Sequence, residues 1–334
     1  LSYPNNKKIT ITGTNGKSTT CQMLYNIFKL KNLDVRLVGN IGKPPLKEKK
    51  IKKKTIFIIE ASSYQISYNK YFKADLAAIL NLDIDHLDRH KNISQYANAK
   101  VKLICDQKKN KIALVEKDSL IINNLIKKRK IKSRIIKLTY DKKNYFKKKI
   151  HNNYLLDKNN LNNIHFVYKI SKIFNISNHI IFKSLNLFQG LKFRKQIIFN
   201  KPELKIINDS KSTSFSSTNR LLLTYKNIYW IVGGILKKGD KFIIEKKYRK
   251  NIKAYIIGLN KKKYTDQFKN KIQFKYCKYL KNAILNLKKD IKKDPEEKTI
   301  LFSPAAASFD QFKNFEDRGN YFNTLIKKID LYGK

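Results

Sequence analysis

Residues 11–20, Ile-Thr-Gly-Thr-Asn-Gly-Lys-Ser-Thr-Thr, constrain this chain more than any other stretch. The run "KKITIT" (7–12), rich in β-branched residues, precedes the glycines, and an amphipathic run follows them. A strand that enters a glycine turn and then a helix N-terminus points backbone N–H groups outward and favours an anion. The general phosphate-loop pattern has four residues between its first Gly and its Gly-Lys pair. Here only Thr14 and Asn15 separate Gly13 from Gly16, so that pattern is not met. The chemistry is still that of a phosphate loop. Gly13, Thr14, Asn15 and Gly16 make the turn, Lys17 reaches toward outer phosphates, and Ser18, followed by Thr19, offers a hydroxyl to Mg²⁺. The bland alternative is a turn with an ordinary helix cap.

Beyond the loop, strand-like and helix-like runs alternate. "DVRLV" (34–38), "TIFIIE" (55–60), "LAAILN" (76–81) and "KIALVE" (111–116) are short apolar strands, and helical patterns cover 16–31, 92–106, 160–174 and 178–187. The pattern resets near "FQGLKFRK" (188–195), and "LKIIND" (204–209), "IYWIVGG" (228–234), "IKAYIIG" (252–258) and "KTILFSP" (298–304) follow as strands. We expect an α/β protein: a P-loop domain over 1–190 with a mostly parallel sheet, and a smaller Rossmann-like α/β domain over 191–334. The stretch 139–160, rich in Lys, Asn and Tyr, has no readable period.

The net charge is +48, which invites a nucleic-acid reading. Its make-up argues against one. Of 73 basic residues eight are Arg and the other 65 Lys, spread along the chain among abundant Asn and Ile. Base readers favour the forked guanidinium, so runs such as "KEKKIKKK" (47–54) and "KKRK" (127–130) read as solvated faces. The three cysteines, Cys21, Cys105 and Cys277, lie far apart and make neither a zinc knuckle nor a disulfide framework. A reducing cytoplasm fits them. No apolar run reaches the roughly 20 residues that span a bilayer.

Four further stretches carry chemistry. "IIEASSYQI" (58–66) puts Glu60 at a strand end beside the loop, either as a magnesium ligand or as an ordinary solvent-facing carboxylate. "NLDIDHLDRH" (81–90) gathers three Asp and two His just past a strand. It lacks the Gly of an EF-hand, and His86 is expected near a metal or substrate rather than as a structural histidine. "INDSKSTSFSST" (207–218) alternates Asp209, Lys211 and Thr213 before a helix, to hold an anion or a ribose or merely to cap. Pro304–Ser308 is expected to feed a helix N-terminus and make a second anion site.

Together these stretches resemble the Mur ligases, the ATP-dependent amide-forming enzymes of peptidoglycan synthesis, and most closely the D-glutamate-adding branch. The resemblance is carried by "TGTNGKST" (12–19), "GNIG" (39–42), "EASSYQ" (60–65), "NLDIDHLDRH" (81–90), "YANAK" (96–100), "NDSKST" (208–213) and "SPAAASFDQFKNFEDRGNYF" (303–322). The shortened phosphate loop is that family's own version.

The resemblance implies that Lys17 contacts ATP phosphates, that Ser18 and Glu60 ligate magnesium, and that His86 serves a second magnesium. Lys100 then matches a carbamylated lysine whose added carboxylate helps to bind that ion. Asn40 contacts the muramoyl substrate. Asn160 and Asn163 lie on the adenine side, and Arg194, Asp209 and Lys211 hold the nucleotide. Thr213, Lys237, Ser308 and Phe315 surround D-glutamate. ATP, two Mg²⁺, UDP-N-acetylmuramoyl-L-alanine and D-glutamate are the implied ligands of a monomer that needs neither membrane nor nucleic acid. Two motifs depart from the family: Asp157-Lys158-Asn159-Asn160 stands for Gly-x-His-Asn, and Phe193-Arg194 for His-Arg. Because the chain opens at Leu1 and reaches its first strand almost at once, we expect that an N-terminal portion, the family's uridine-nucleotide-binding domain, is missing from this sequence through processing, truncation or incomplete sequencing. The competing readings are another ligase of the superfamily, such as a folylpolyglutamate type, a nucleic-acid-binding P-loop NTPase, and a non-functional relic. The joint presence of Lys17, Glu60, His86 and Lys100 argues against the last.

Overall fold

Runs of Ile, Val and Thr stiffen χ1 and favour the pleated backbone, and in the computed structural model they close two six-stranded sheets. The structure describes residues 5–42, 44–82, 92–139, 145–152, 154–156, 158–292, 294 and 296–328. It divides into two compact units, Leu1–Gln189 and Gly190–Lys334.

In the first unit, β1 (Lys7–Thr12), β2 (Val35–Gly39), β3 (Ile56–Glu60), β4 (Leu76–Ile79), β5 (Ile112–Glu116) and β6 (Arg134–Leu138) form one sheet in the order β2-β3-β1-β4-β5-β6. Every pairing is parallel. Ile11 pairs with Glu60 and Thr12 with Ile79, so β1, β3 and β4 end at one edge. The chain leaves β1 toward β2 and β3 on one side and returns at β4 on the other. A parallel sheet opens its ligand crevice where that direction reverses. Helix α1 (Lys17–Leu30) starts at this point and buries Cys21, Leu24 and Phe28, spaced by three and four residues, against Ile9, Ile11 and Ile58. On the other face, helix α2 (Ser63–Ser67) and helix α3 (Ile93–Cys105) cover Ala77 and Ile79 with Ile66, Val101 and Ile104.

The second unit contains β7 (Gln196–Lys201), β8 (Leu204–Asn208), β9 (Ile228–Gly233), β10 (Ile252–Ile257), β11 (Gln273–Lys278) and β12 (Lys298–Phe302), in the order β11-β10-β9-β12-β8-β7. All pairings are parallel except β7 with β8, an antiparallel pair at the sheet edge. Helices 280–291 and 315–328 pack Leu287, Phe322 and Leu325 on one face, over Ile206, Tyr255 and Phe302. Helices 215–224 and 261–268 pack Phe215, Leu222 and Phe268 on the other, around Trp230. Trp230 is fully buried, and its indole N–H donates to the Ser303 carbonyl at 2.8 Å, so its one polar atom is satisfied. Among the described residues no helix is long and apolar enough to cross a membrane.

Candidate active site

The glycine turn after β1 has the shape its sequence demands. Gly16 caps α1 with φ +79°, and a Cβ there would lie 2.3 Å from Asn163 Oδ1. Only glycine meets both conditions. Lys17, the first residue of α1, folds back over the turn and donates from Nζ to the carbonyls of Gly13 and Thr14, each at 2.8 Å. Ser18 is buried, Thr19 half-buried and Asn15 exposed. Two neighbours that sequence reasoning left out brace the turn. The Tyr96 hydroxyl lies 3.2 Å from Thr14 Oγ1. Asn81, at the end of the apolar run that forms β4, accepts on Oδ1 from the N–H groups of Thr14 (3.1 Å) and Asn15 (2.8 Å).

Glu60 ends β3 level with this turn and is 1% exposed, so the solvent-facing alternative fails. Its Oε1 accepts from Asn40 Nδ2 at 3.0 Å, while Oε2 is buried without a hydrogen-bond partner among the described residues. A buried, unsatisfied carboxylate oxygen costs free energy unless something positive occupies it. Asn40 is held in turn by its backbone N–H, which donates to the Glu60 carbonyl at 2.9 Å. Gly39 is glycine because a Cβ at its φ of +107° would sit 2.3 Å from that same carbonyl. A magnesium ion prefers hard oxygen donors and keeps several waters. The Ser18 hydroxyl and the Glu60 carboxylate are of that kind, and the orphaned Oε2 fits such an ion. Burial, and then the charge of Glu60, push the Cys21 thiol well above its ordinary range, with Lys17 opposing.

Lys100 lies on α3, one turn after Tyr96, and is 1% exposed. Its Nζ donates to the Gly13 carbonyl at 2.9 Å and stands 4.4 Å from the Tyr96 ring centroid. Among the predicted residues of the first unit, the structure therefore brings Gly13, Thr14, Asn15, Gly16, Lys17, Ser18, Asn163 and Lys100 to the turn, with Asn40 and Glu60 at the adjoining strand end. Asn163 lies against Gly16, and Asn160 donates from Nδ2 to the Tyr154 carbonyl at 2.8 Å. His86 lies outside the described residues.

In the second unit, Asp209 follows β8 and is almost wholly buried. It accepts from the Lys195 N–H at 3.1 Å and from the Ser303 hydroxyl at 2.8 Å. Burial pushes its carboxyl up to about 6 against those hydrogen bonds and against the cations Lys195 and Arg194. Lys211 places Nζ 3.7 Å from the Phe315 ring centroid and donates its N–H to the Phe193 carbonyl, so Lys211 and Phe315 meet. Thr213 is half-buried, Ser308 is buried, and Lys237 is exposed in the loop after β9.

Of the two helix starts weighed in the second unit, one shows the capping alternative and the other differs from expectation. The helix after Thr213 is already capped: Ser214 accepts from the Ser217 N–H, and Asp240 from the Phe215 N–H at 2.8 Å. Pro304–Ser308 does not feed a helix directly. Ala305 is left-handed, Ala307 bridges to Ile235, and the helix opens only at Phe315, with Glu316 and Asp317 in its first turn. Carboxylates already complement that N-terminus. Arg318 was missed. It is 1% exposed and donates to Ser210 Oγ (3.1 Å), the Ser210 carbonyl (2.7 Å) and the Ala306 carbonyl (3.0 Å). Burial lowers its guanidinium to about 10.

Comparison with known proteins agrees with this geometry. The family model of the Mur ligase middle domain matches residues 11–212. UDP-N-acetylmuramoylalanine–D-glutamate ligase of Rickettsia bellii is 35% identical, covering 97% of this chain and 76% of its own length. The protein of the same name from Rickettsia prowazekii is 36% identical with the same coverage. Among solved structures, MurF ligase of Thermotoga maritima in complex with ADP superposes with a TM-score of 0.68 at 16% identity, covering 97% of this chain and 81% of that one. E. coli FolC in complex with ADP gives 0.65 at 14% identity, covering 98% and 91%. The structural likenesses speak for the fold, while the matched domain and the relatives, each covered across 76% of its length, decide the lineage: this chain belongs to the Mur ligase family.

Proposed function

We propose that the chain is an ATP-dependent ligase that joins the amine of D-glutamate to the carboxylate of UDP-N-acetylmuramoyl-L-alanine, with residues 1–190 binding ATP and 191–334 the amino acid and part of the nucleotide. The observation that carries the reading is 35% identity over 97% of the chain to a ligase of that printed name. The clustering of Lys17, Glu60 and Lys100 at one sheet edge supports it.

The chemistry is acyl activation. The substrate carboxylate attacks the γ-phosphorus of ATP and ADP leaves, giving an acyl phosphate. The D-glutamate amine then adds to the acyl carbon, and the tetrahedral intermediate expels phosphate. In this reading Lys17 swings from the Gly13 and Thr14 carbonyls onto the outer phosphates. The N–H groups at the start of α1 receive phosphate oxygens. Ser18 and Glu60 hold magnesium, joined by His86 and a carbamylated Lys100 at a second ion. Bound magnesium supplies charge neutralisation on the transferring phosphoryl group. Asn40 keeps Glu60 oriented and meets the muramoyl substrate. Asn160 and Asn163 line the adenine side, and Arg194, Asp209 and Lys211 hold the nucleotide from the second unit. Thr213, Lys237, Ser308 and Phe315 surround D-glutamate. Positioning supplies much of the rate in such a reaction.

The test is ADP release by the purified chain in the presence of Mg²⁺. It should require both the UDP-linked substrate and D-glutamate, and mass spectrometry should detect the amide product. Equal ADP release with L-glutamate, or with D-glutamate omitted, would overturn the assignment.

A further inference from the structure

Asn81 touches the phosphate turn four times. Its backbone carbonyl accepts from the Thr14 N–H at 3.2 Å, and its side-chain Oδ1 accepts from Thr14 N–H at 3.1 Å and Asn15 N–H at 2.8 Å. Its Nδ2 donates to the Asn15 carbonyl at 3.1 Å. Thr14 and Asn15 are the two residues between the glycines, the part of the loop that is two residues shorter than the general pattern. In the longer loop, interior N–H groups wrap the phosphates. In this chain both interior N–H groups are turned toward a side chain at the end of a neighbouring strand.

From this we infer that Asn81 is a positioning residue of the nucleotide site. Its amide takes the place of the missing loop residues and holds the shortened turn in its binding shape before a nucleotide arrives. The assignment rests on the ATP-binding reading above. It also divides the work of the turn. With Thr14 and Asn15 engaged by Asn81, phosphate oxygens are left to Gly16, Ser18 and Thr19 at the start of α1 and to the Lys17 ammonium. The fit is chemical as well as geometric. An amide offers an acceptor and a donor side by side, and successive loop residues present N–H, N–H and C=O to it. Without Asn81, the turn would lose these bonds and would have to be ordered by the nucleotide itself, at the expense of affinity.

The experiment compares wild type with Asn81→Ala and Asn81→Asp by direct titration with ATP, ADP and adenosine. Asn81→Ala should weaken ATP and ADP binding by roughly 10- to 100-fold, the equivalent of two to three net hydrogen bonds, and should change adenosine binding by less than threefold. Asn81→Asp keeps the acceptor for both N–H groups and so keeps the fold, but it sets a negative charge beside the phosphates. Its ATP affinity should also fall more than its adenosine affinity. A residue with a merely structural role would weaken all three ligands together. That outcome, or ATP binding within twofold of wild type in either folded variant, overturns the assignment. Failure of the wild-type chain to bind ATP overturns the functional reading instead, and this assignment with it.

Discussion

Lys17 and Lys100 donate to the same oxygen. The Nζ atoms of both reach the Gly13 carbonyl, at 2.8 and 2.9 Å, from helices on opposite sides of the sheet. We propose that Lys100 is carbamylated, which would replace its ammonium with an anionic carboxylate beside the turn that Lys17 covers.

Lys100 should therefore carry one added CO₂, visible as a mass increase that disappears on acidification. Lys100→Ala should lose activity by roughly 100-fold or more, the scale of losing one preorganised charge at the reacting centre, and short carboxylic acids should restore part of it. Full activity in Lys100→Ala without any added acid would exclude the role.

Glu60→Gln keeps the acceptor for Asn40 and replaces an orphaned, buried carboxylate oxygen with a neutral group. ADP release should fall by roughly 100-fold or more, with a higher magnesium requirement. Thermal stability should stay the same or rise, because a buried charge has been removed. A magnesium titration coincident with wild type would refute the ligand assignment.

Gly16→Ala meets two obstacles, a φ of +79° and the Asn163 amide 2.3 Å from the new Cβ. The backbone strain alone is about 1–2 kcal/mol. ATP affinity should drop by tenfold or more. Adding Asn163→Ala should relieve the collision but not the strain, and calorimetric titration of the double variant should still read weaker binding than in Asn163→Ala alone.

Asp209 should give the second unit a stability that falls with pH. Its carboxyl is raised to about 6 in the fold from an ordinary 3.8. Below both values it is protonated in folded and unfolded chains alike and costs nothing. As pH rises from about 4 to 6 the unfolded chain ionises first, and stability declines to a plateau roughly 3 kcal/mol lower. Asp209→Asn should remove that decline, with no gain near pH 3.5 and its full gain above pH 7. Denaturant melts across this range decide the matter, and a gain independent of pH would contradict the burial argument.

The central strands were legible because β3 and β4 are apolar along most of their length, as strands covered on both faces must be, and because the last four residues of β1 are all β-branched. Of the edge strands, β2 was read as "DVRLV", but β6, β7 and β11 were not. In "RIIKL", "QIIFNK" and "QFKYCK" lysines and glutamine interrupt the apolar run, since one side of an edge strand faces water. The glycine turn announced itself through Gly13, Gly16 and Lys17, all adjacent in sequence. Asn81 did not, because its partners are 66 and 67 residues away and are mostly backbone atoms, which carry no sequence signature. Arg318 was hidden for a different reason: among 73 basic residues, nothing local marks it as one that the fold buries. Pro304–Ser308 was misread because a left-handed Ala305 and a bridging Ala307 are tertiary outcomes that residue types do not encode.

The antiparallel first strand of the second unit has a mechanical consequence. Because β7 runs against β8, Gln196 is paired with Asn208 at the sheet's carboxyl edge. The residues just ahead of it, Phe193, Arg194 and Lys195, are thereby delivered to the edge that holds Asp209 and Lys211. A parallel first strand would have begun at the far edge, some five residues of strand away. These residues are thus fastened to the carboxyl edge itself, through the hydrogen bonds Lys195 N–H to Asp209 and Lys211 N–H to Phe193. A displacement of these residues would therefore reach the buried Asp209 carboxylate without passing through the core.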